Sequence, residues 1–252
     1  MKINFIICSK NDGYCGDPMH RLRTSLTHNI NILKNYTDWS ITIVDWASEE
    51  KIEHVIDIRH DNLKFVYIPK EIANTLPTKI SEVHALNHAA RISNAQFIAR
   101  IDQDTMIGPN FLKWFFDANQ AQEDTHYLCK RADLLDGVLS IDGAYNPNAG
   151  LQWDAAGCAI GVLLVPRAMW FDSTGYDERY IYFNCMEIEF VNRLRQRHKY
   201  EDLTPVIGYD FYHIHHIRLP DNEKQFNPHP DVHNLTYRVN NETTWGLPQL
   251  IS

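Results

Sequence analysis

Apolar runs alternate with segments of helical periodicity along the first half of the chain. Four short apolar runs predict buried strands, at residues 3–8, 39–45, 63–68 and 97–101. Between and after them, helical spacing predicts helices at residues 19–35, 48–56, 80–92 and 110–119. Ser48 is the expected cap of the second helix. This alternation predicts an α/β fold whose parallel strands are joined by right-handed crossovers.

The second half of the chain is less regular. Residues 133–154 are rich in glycine, aspartate, asparagine and proline, which predicts a long loop or an irregular hairpin. After it we expect a strand at 158–165, a helix at 186–198 and a strand-like segment at 206–214. A polar tail at 219–252 is expected to wrap the surface. Because no linker-like stretch interrupts the chain, we expect one domain over residues 1–252.

Composition narrows the classes of function. Of the 252 residues, 44% are hydrophobic and 22% are charged, as is typical of a soluble globular protein. A formal net charge of −8 argues against a nucleic-acid-binding surface. No apolar run is long enough to predict a membrane span, whereas peripheral membrane association stays open. The five cysteines form no Cys-x-x-Cys pair and no signal peptide is evident, which indicates reduced thiols in the cytoplasm.

The segment Asp102-Gln103-Asp104 directly follows the fourth predicted strand. Its two carboxylates should therefore lie at the carboxyl end of that strand, where open α/β sheets bind ligands. Carboxylate oxygens suit Mg²⁺ or Mn²⁺, and such ions usually also bind substrate phosphates. The pattern favours a metal-held diphosphate, and an aspartate-rich turn is the alternative.

Polar groups follow the first two predicted strands as well. Cys8, Ser9 and Asn11 end the first strand, and Asp45 ends the second. Asp45 could accept a hydrogen bond from a nucleotide base or ribose, or it could cap the next helix. The glycine-rich phosphate fingerprints are absent, which favours metal rather than a glycine loop as the partner of any bound phosphate.

Two late clusters could also carry chemistry. Glu187 and Glu189 lie near the start of a predicted helix, where one could act as a general base or both could complement the helix dipole. Their side chains should diverge, because successive helix positions point in different directions. The sequence His213-Ile214-His215-His216 could supply an imidazole ligand to a carboxylate metal site, or it could be a histidine cluster without metal.

Taken in order, these segments resemble the family 2 glycosyltransferases and their relatives, which share the nucleotide-sugar-binding GT-A fold. The matching stretches are residues 3–11, 43–48, 85–104, 175–194 and 213–216. The nearest resemblance is to bacterial capsule or glycan polymerase domains and to galactosaminyl- and galactosyltransferases. One departure is Met186-Glu187, since the family usually has Glu-Asp there, so Glu187 takes the place of the catalytic aspartate.

The resemblance implies a metal-dependent, inverting transfer from a nucleoside-diphosphate sugar, most often a UDP-sugar, to a hydroxyl of a glycan or glycoconjugate. Asp104, with His213 or His216, would hold Mn²⁺ or Mg²⁺, and Asp102 would contact the metal through water, the ribose or the sugar. Glu187 would be the base. The nucleotide side, in residues 1–104, would include Cys8, Ser9, Asn11, Asp45, Arg100 and Asp102. Residues 105–218 would form the acceptor and catalytic half, with the acceptor near the 133–154 loop.

Two other functions stay open at this point. A sugar-phosphate nucleotidyltransferase also uses an α/β sheet and metal-binding acids, although it commonly has a glycine-rich basic loop after the first strand. A non-catalytic nucleotide- or glycan-binding module of the same fold is the second alternative, and the Met186 departure is its support. A retaining rather than an inverting outcome is also open.

Overall fold

The computed structural model of the protein describes residues 1–13, 16–145, 160–182, 185–217, 225–227 and 236–251. Within these residues the chain forms strands β1 (Ile3–Ser9), β2 (Trp39–Trp46), β3 (Leu63–Ile68), β4 (Phe97–Arg100), β5 (Thr105–Ile107), β6 (Thr125–Lys130), β7 (Ala132–Leu134), β8 (Ala144–Tyr145), β9 (Ile160–Pro166), β10 (Lys199–Asp202) and β11 (Phe211–His213). The helices are α1 (Pro18–Leu33), α2 (Ile52–Val55), α3 (Lys70–Ala73), α4 (Glu82–Ile92), α5 (Pro109–Leu112), α6 (Arg167–Asp172), α7 (Met186–Leu194) and α8 (Thr204–Ile207). A π-helical turn, Lys113–Asp117, continues α5.

The central sheet has seven strands in the order β10-β6-β9-β4-β1-β2-β3. β1 pairs in parallel with both β2 and β4, and β2 pairs in parallel with β3. β9 is antiparallel to β4 and to β6. The sheet is therefore mixed and mostly parallel, as the alternation of strands and helices predicted. It brings the carboxyl ends of β1, β2 and β4 to one edge.

Hydrophobic side chains pack on both faces of the central sheet. Along β1, Phe5 and Ile7 join one buried cluster and Ile6 joins the other, because successive strand residues point to opposite faces. The first cluster includes Leu22 of α1, and the second includes Leu86 of α4. Helices on both faces explain why the inner strands are apolar almost throughout.

A second, smaller sheet has the order β5-β11-β7-β8. β11 runs antiparallel to β5, with His213 opposite Thr105, and parallel to β7, with His213 opposite Asp133. This pairing brings the residues after β4 next to the late histidine cluster. The segment predicted as a loop or irregular hairpin thus contributes the antiparallel pair β7 and β8, and its remainder, residues 146–154, lies outside the described residues.

Several sequence-based boundaries were wrong. The helix expected at 48–56 is only the turn α2, and Ser48 does not cap it, since its Oγ accepts a hydrogen bond from the backbone of Asn11 instead. The strand expected at 206–214 begins only at residue 211, because Pro205 starts the helical turn α8. The helix expected at 186–198 ends at residue 194.

Three short strands were not predicted at all, namely β5, β6 and β10. In the tail, Tyr237 and Trp245 are buried among core residues of the second cluster. Part of the tail is therefore packed into the core rather than laid over the surface. Residues 218–224, 228–235 and 252 lie outside the described residues.

Candidate active site

A polar stripe on α1 holds the Asp102-Gln103-Asp104 segment in place. Three side chains spaced four residues apart on this helix face the segment. Arg21 Nε lies 3.3 Å from Asp104 Oδ2, and Ser25 Oγ donates a 2.5 Å hydrogen bond to the carbonyl of Gln103. Asn29 donates to the carbonyl of Thr105 and accepts from the amide of Ile107. These polar residues lie buried on a helix face that would otherwise be apolar, so their role is to position the segment.

Asp104, His213 and His216 converge in space. His213 Nε2 lies 3.4 Å from Asp104 Oδ1, and His216 Nε2 lies 3.4 Å from Asp104 Oδ2. The three potential ligand atoms all lie within 4.8 Å of one another. The carbonyl of Asp104 also accepts a 2.9 Å hydrogen bond from the amide of Ile214, so the backbone fixes the proximity.

The other ring nitrogens of the two histidines face acceptors. His213 Nδ1 lies 3.1 Å from Asp133 Oδ1, and His216 Nδ1 lies 3.0 Å from the carbonyl of Ile217. With a proton on each Nδ1, both Nε2 atoms present lone pairs towards the Asp104 carboxylate. The Asp104 carboxylate already pairs with Arg21 through Oδ2, and a divalent cation placed between it and the two Nε2 atoms would use both lone pairs as ligands. Metal-binding histidines commonly have such outer-shell acceptors, so this set of donors fits a divalent cation.

Asp102 lies apart from this cluster. Its Oδ1 is 2.8 Å from Arg100 Nη2, and its Oδ2 accepts a 3.2 Å hydrogen bond from Arg131 Nη1. Although burial opposes ionisation, the two guanidinium groups hold the pKa of Asp102 below its usual value. Among the described residues the convergent ligand set does not include Asp102, so a contact of Asp102 with a ligand hydroxyl or with the metal stays a prediction.

Glu187 lies in the first turn of α7 and faces Arg100. Its Oε1 is 2.9 Å from Arg100 Nη2, and its side chain is 11% exposed. Burial raises the pKa of Glu187, and the positive charge of Arg100 partly offsets that effect. A carboxylate with a raised pKa at the edge of a crevice is suited to accept a proton from a hydroxyl.

Glu189 has a structural role. It forms a fully buried ion pair with Arg193, four residues further along α7. Arg193 also donates hydrogen bonds to the carbonyls of Ser173, Gly175 and Tyr237. Glu189 therefore anchors α7 to the turn before it and to the tail. Of the two acids that the sequence left as alternatives for a base, only Glu187 faces Arg100 and Asp102.

The residues at the ends of β1 and β2 form a connected edge. Ser9 Oγ donates to Gln103 Oε1, which ties β1 to the aspartate segment. Asp45 accepts hydrogen bonds from the amides of Ser48 and Ile52, so its carboxylate has the capping role that the sequence allowed. Burial raises the pKa of the Cys8 thiol, which is therefore neutral. A contact of Asp45 or Asn11 with a nucleotide stays a prediction.

A cavity of about 480 Å³ adjoins the histidine cluster. Its lining comes from β7, the segment after it, β8 and the end of β11, and includes Asp133, Leu135, Tyr145, His215 and Ile217. Tyr145 is 56% exposed there. The described part of the 133–154 segment thus borders the cavity, and an acceptor site there stays a prediction.

Four residues of this site were not singled out from the sequence: Arg21, Glu82, Arg131 and Asp133. Arg21 had a signal, because it shares a buried helix face with Ser25 and Asn29 at intervals of four. Glu82 lies at the first position of α4 and looks like an ordinary dipole-stabilising acid. Arg131 and Asp133 carry no local pattern, since only the pairing of β7 with β11 brings them to the site.

Comparison with known proteins identifies the fold. No protein-family model matches the chain, and no curated protein sequence matches it significantly. Among solved structures, S. aureus TarS is similar, with 14% identity, a TM-score of 0.56 and 85% of this chain covered. S. aureus TarS 1–349 is 16% identical with a TM-score of 0.55, and its complex with UDP is 15% identical with a TM-score of 0.57, each over 85% of this chain.

This chain spans 37% of the TarS chain, and 60% and 61% of the two shorter TarS chains. At such identities the likeness concerns the fold, and the predicted α/β architecture of GT-A type is confirmed. Among the described helices, none has the length and apolar character needed to cross a membrane.

Proposed function

We propose that this protein is a metal-dependent glycosyltransferase that moves a sugar from a UDP-sugar to a hydroxyl of a glycan or glycoconjugate, with inversion at the anomeric carbon. The transferred group is a hexosyl or N-acetylhexosaminyl unit, and the role is in polysaccharide biosynthesis. A cytoplasmic location is part of the same proposal. The resemblance of the sequence motifs to family 2 glycosyltransferases supports it, as does the fold shared with UDP-bound TarS.

One observation carries the proposal. Asp104, His213 and His216 converge beside the carboxyl edge of the sheet, and a carboxylate with a raised pKa, Glu187, lies across the intervening Asp102 and Arg100. A ligand set for a divalent cation next to a candidate base suits a transfer from a diphosphate-linked donor, because the cation can stabilise the leaving diphosphate while the base takes the acceptor's proton.

The residues divide the chemistry between them. Asp104, His213 and His216 would hold Mn²⁺ or Mg²⁺, which when bound supplies Lewis-acid stabilisation of the charge on the leaving diphosphate. Asp102 accepts hydrogen bonds from sugar or ribose hydroxyls. Glu187 accepts the proton of the acceptor hydroxyl. The oxygen of that hydroxyl forms the new bond to the anomeric carbon, while the bond from the anomeric carbon to the nucleoside diphosphate breaks.

The test measures UDP release from a panel of UDP-sugars (glucose, galactose and their N-acetylamino forms) with Mn²⁺ and with EDTA. We expect Mn²⁺-dependent release from at least one donor. The same donor should raise the melting temperature, because binding to the native state stabilises it. Asp104→Asn should abolish the metal-dependent turnover, and Glu187→Gln should lower it by about 10²–10⁴-fold.

Asp124→Asn is the matched control. Asp124 directly precedes β6 and pairs with exposed Lys199, and neither residue belongs to the ligand cluster or to the residues around Arg100. Unchanged turnover in Asp104→Asn would contradict the metal assignment. Pyrophosphate release from a sugar phosphate and UTP would instead identify a nucleotidyltransferase. A melting-temperature shift with UDP-sugar, without turnover for any donor or hydroxyl acceptor, would identify a binding module.

A further inference from the structure

Three carboxylates from three separate elements surround one nitrogen of Arg100. Arg100 Nη2 donates a 2.8 Å hydrogen bond to Glu82 Oε1 at the start of α4. The same nitrogen lies 2.8 Å from Asp102 Oδ1, after β4, and 2.9 Å from Glu187 Oε1, in the first turn of α7. Arg100 thus links the aspartate segment to the helix that carries the proposed base.

The carboxylates around Arg100 Nη2 outnumber the hydrogens that this nitrogen can donate. Nη2 carries two N–H donors, whereas three carboxylate oxygens lie within 2.9 Å of it. Arg100 is 6% exposed, so water does little to separate the charges. Arg131 supplies a second positive charge, which pairs with Asp102 and Asp133. Glu82 and Glu187 therefore share the charge of Arg100.

We infer that Arg100 is a positioning residue whose guanidinium keeps the Glu187 carboxylate ionised and in place, in competition with Glu82. This inference rests on the proposed function only in taking Glu187 as the base. Arg100 itself touches no reacting atom in this scheme. Glu82 weakens the hold of Arg100 on Glu187, because the Glu82 carboxylate accepts a hydrogen bond that Arg100 could otherwise donate to Glu187.

The ionisation of the neighbours supports this arrangement. Burial raises the pKa of Glu82 to about 7, against the opposing effect of Arg100, and Glu187 and Asp102 add to the rise. Its side chain is 39% exposed, so water screens part of that effect. Among the described residues, the charged or titratable groups that face Glu187 are Arg100, Asp102, Glu82 and buried Tyr176. Arg100 is the sole cation among them, so its removal must favour the protonated form of Glu187.

The direct test follows the Glu187 carboxyl by NMR titration in protein labelled with ¹³C at the glutamate side-chain carboxyls. The resonance that disappears in Glu187→Gln is that of Glu187. We expect Arg100→Met to raise the titration midpoint of this resonance by between about 1 and 3 pH units, the usual effect of a nearby opposite charge. Arg100→Lys, which keeps the charge, should leave the midpoint closer to that of the wild type.

Arg131→Met is the matched control. It removes another buried guanidinium that contacts Asp102, whereas within the described part of the chain no ion pair joins Arg131 to Glu187. We expect a smaller shift of the Glu187 midpoint than in Arg100→Met. Glu82→Gln removes the competitor and should lower the midpoint. If Arg100→Met does not fold, the double variant Arg100→Met, Glu82→Gln replaces it, because its net charge equals that of the wild type. The Glu187 midpoint in the double variant should still be higher than in Glu82→Gln alone.

Equal shifts in Arg100→Met and Arg131→Met would overturn the inference, and so would a midpoint unchanged by loss of Arg100. The titration uses no substrate, so it stands even if no UDP-sugar is turned over and the proposed function fails. Where turnover is observed, the acidic limb of its pH profile should move upward in Arg100→Met by the same amount as the NMR midpoint.

Discussion

Nε2 of His213 lies 3.4 Å from Oδ1 of Asp104, although the two residues come from opposite halves of the chain. Backbone pairing sets this distance. His213 is opposite Thr105 in the antiparallel pair of β5 and β11, and the amide of Ile214 donates to the carbonyl of Asp104. The proposed metal ligands are thus brought together by backbone pairing within a small sheet, which reduces the ordering that binding requires.

His213→Asn should weaken Mn²⁺ binding by at least about tenfold, because even outer-shell changes at metal sites have effects of this order. His215→Asn is its control. His215 lies two residues away and 48% exposed, and it contacts Asp136 rather than Asp104. Calorimetric titration with Mn²⁺ measures both, and equal losses would argue against His213 as a ligand.

Asp133→Asn should weaken Mn²⁺ binding by about 10–100-fold without removing a ligand atom. Asp133 Oδ1 lies 3.1 Å from Nδ1 of His213, where a carboxylate favours a proton on that nitrogen and leaves the lone pair of Nε2 directed towards Asp104. The same calorimetric titration measures this loss. An affinity as high as that of the wild type would show that the carboxylate has no such orienting role.

Glu189→Gln should destabilise the fold far more than Glu187→Gln. The first substitution leaves Arg193 buried without a counter-charge, which typically costs about 3–5 kcal/mol of the free energy of unfolding. The second leaves Arg100 with Glu82 and Asp102. Urea unfolding of the two variants compares them, and similar losses would contradict the structural role assigned to Glu189.

Asp210 should make stability depend on pH. Burial raises its pKa to about 6, against the hydrogen bonds that it accepts from the start of α5. The folded form therefore binds more protons than the unfolded form between about pH 4 and 6, so this group's contribution to stability is lost as pH rises through that window. The loss is up to about 3 kcal/mol.

Urea unfolding of the wild type and of Asp210→Asn across this range isolates the contribution. We expect the stability difference between wild type and variant to shift against the wild type as pH rises from about 4 to about 6. A difference that stays constant would show that Asp210 titrates normally in the folded protein.

Gly175→Ala should destabilise the protein more than Gly137→Ala. Both glycines have positive φ, of +68° and +74°, so each substitution costs about 1–2 kcal/mol of backbone strain. A Cβ at Gly175 would also lie 2.2 Å from Oδ1 of Asn87, whereas nothing lies within 4 Å at Gly137. The overlap should add about 1–3 kcal/mol, which thermal or urea unfolding measures. Equal losses would mean that Asn87 moves aside freely.

Local patterns account for the elements that were predicted well. β3 matches its predicted bounds, and β1, β2, β4, α1 and α4 agree to within two residues, because apolar spacing reports which face of an element is buried. The short strands β5 and β10 were missed. They have only three and four residues and depend on neighbouring strands for their pairing, so they are too short to show a periodic pattern in the sequence.

The sequence by itself determined the α/β class, the alternation of strands and helices through β4, and the position of Asp102 and Asp104 after a buried strand, since each of these follows from local periodicity. Only the tertiary structure decided that Asp104 meets His213 and His216, and that Glu187 shares Arg100 with Glu82. These contacts join residues far apart in the chain. They depend on sheet order and register, which side-chain spacing along a single element does not encode.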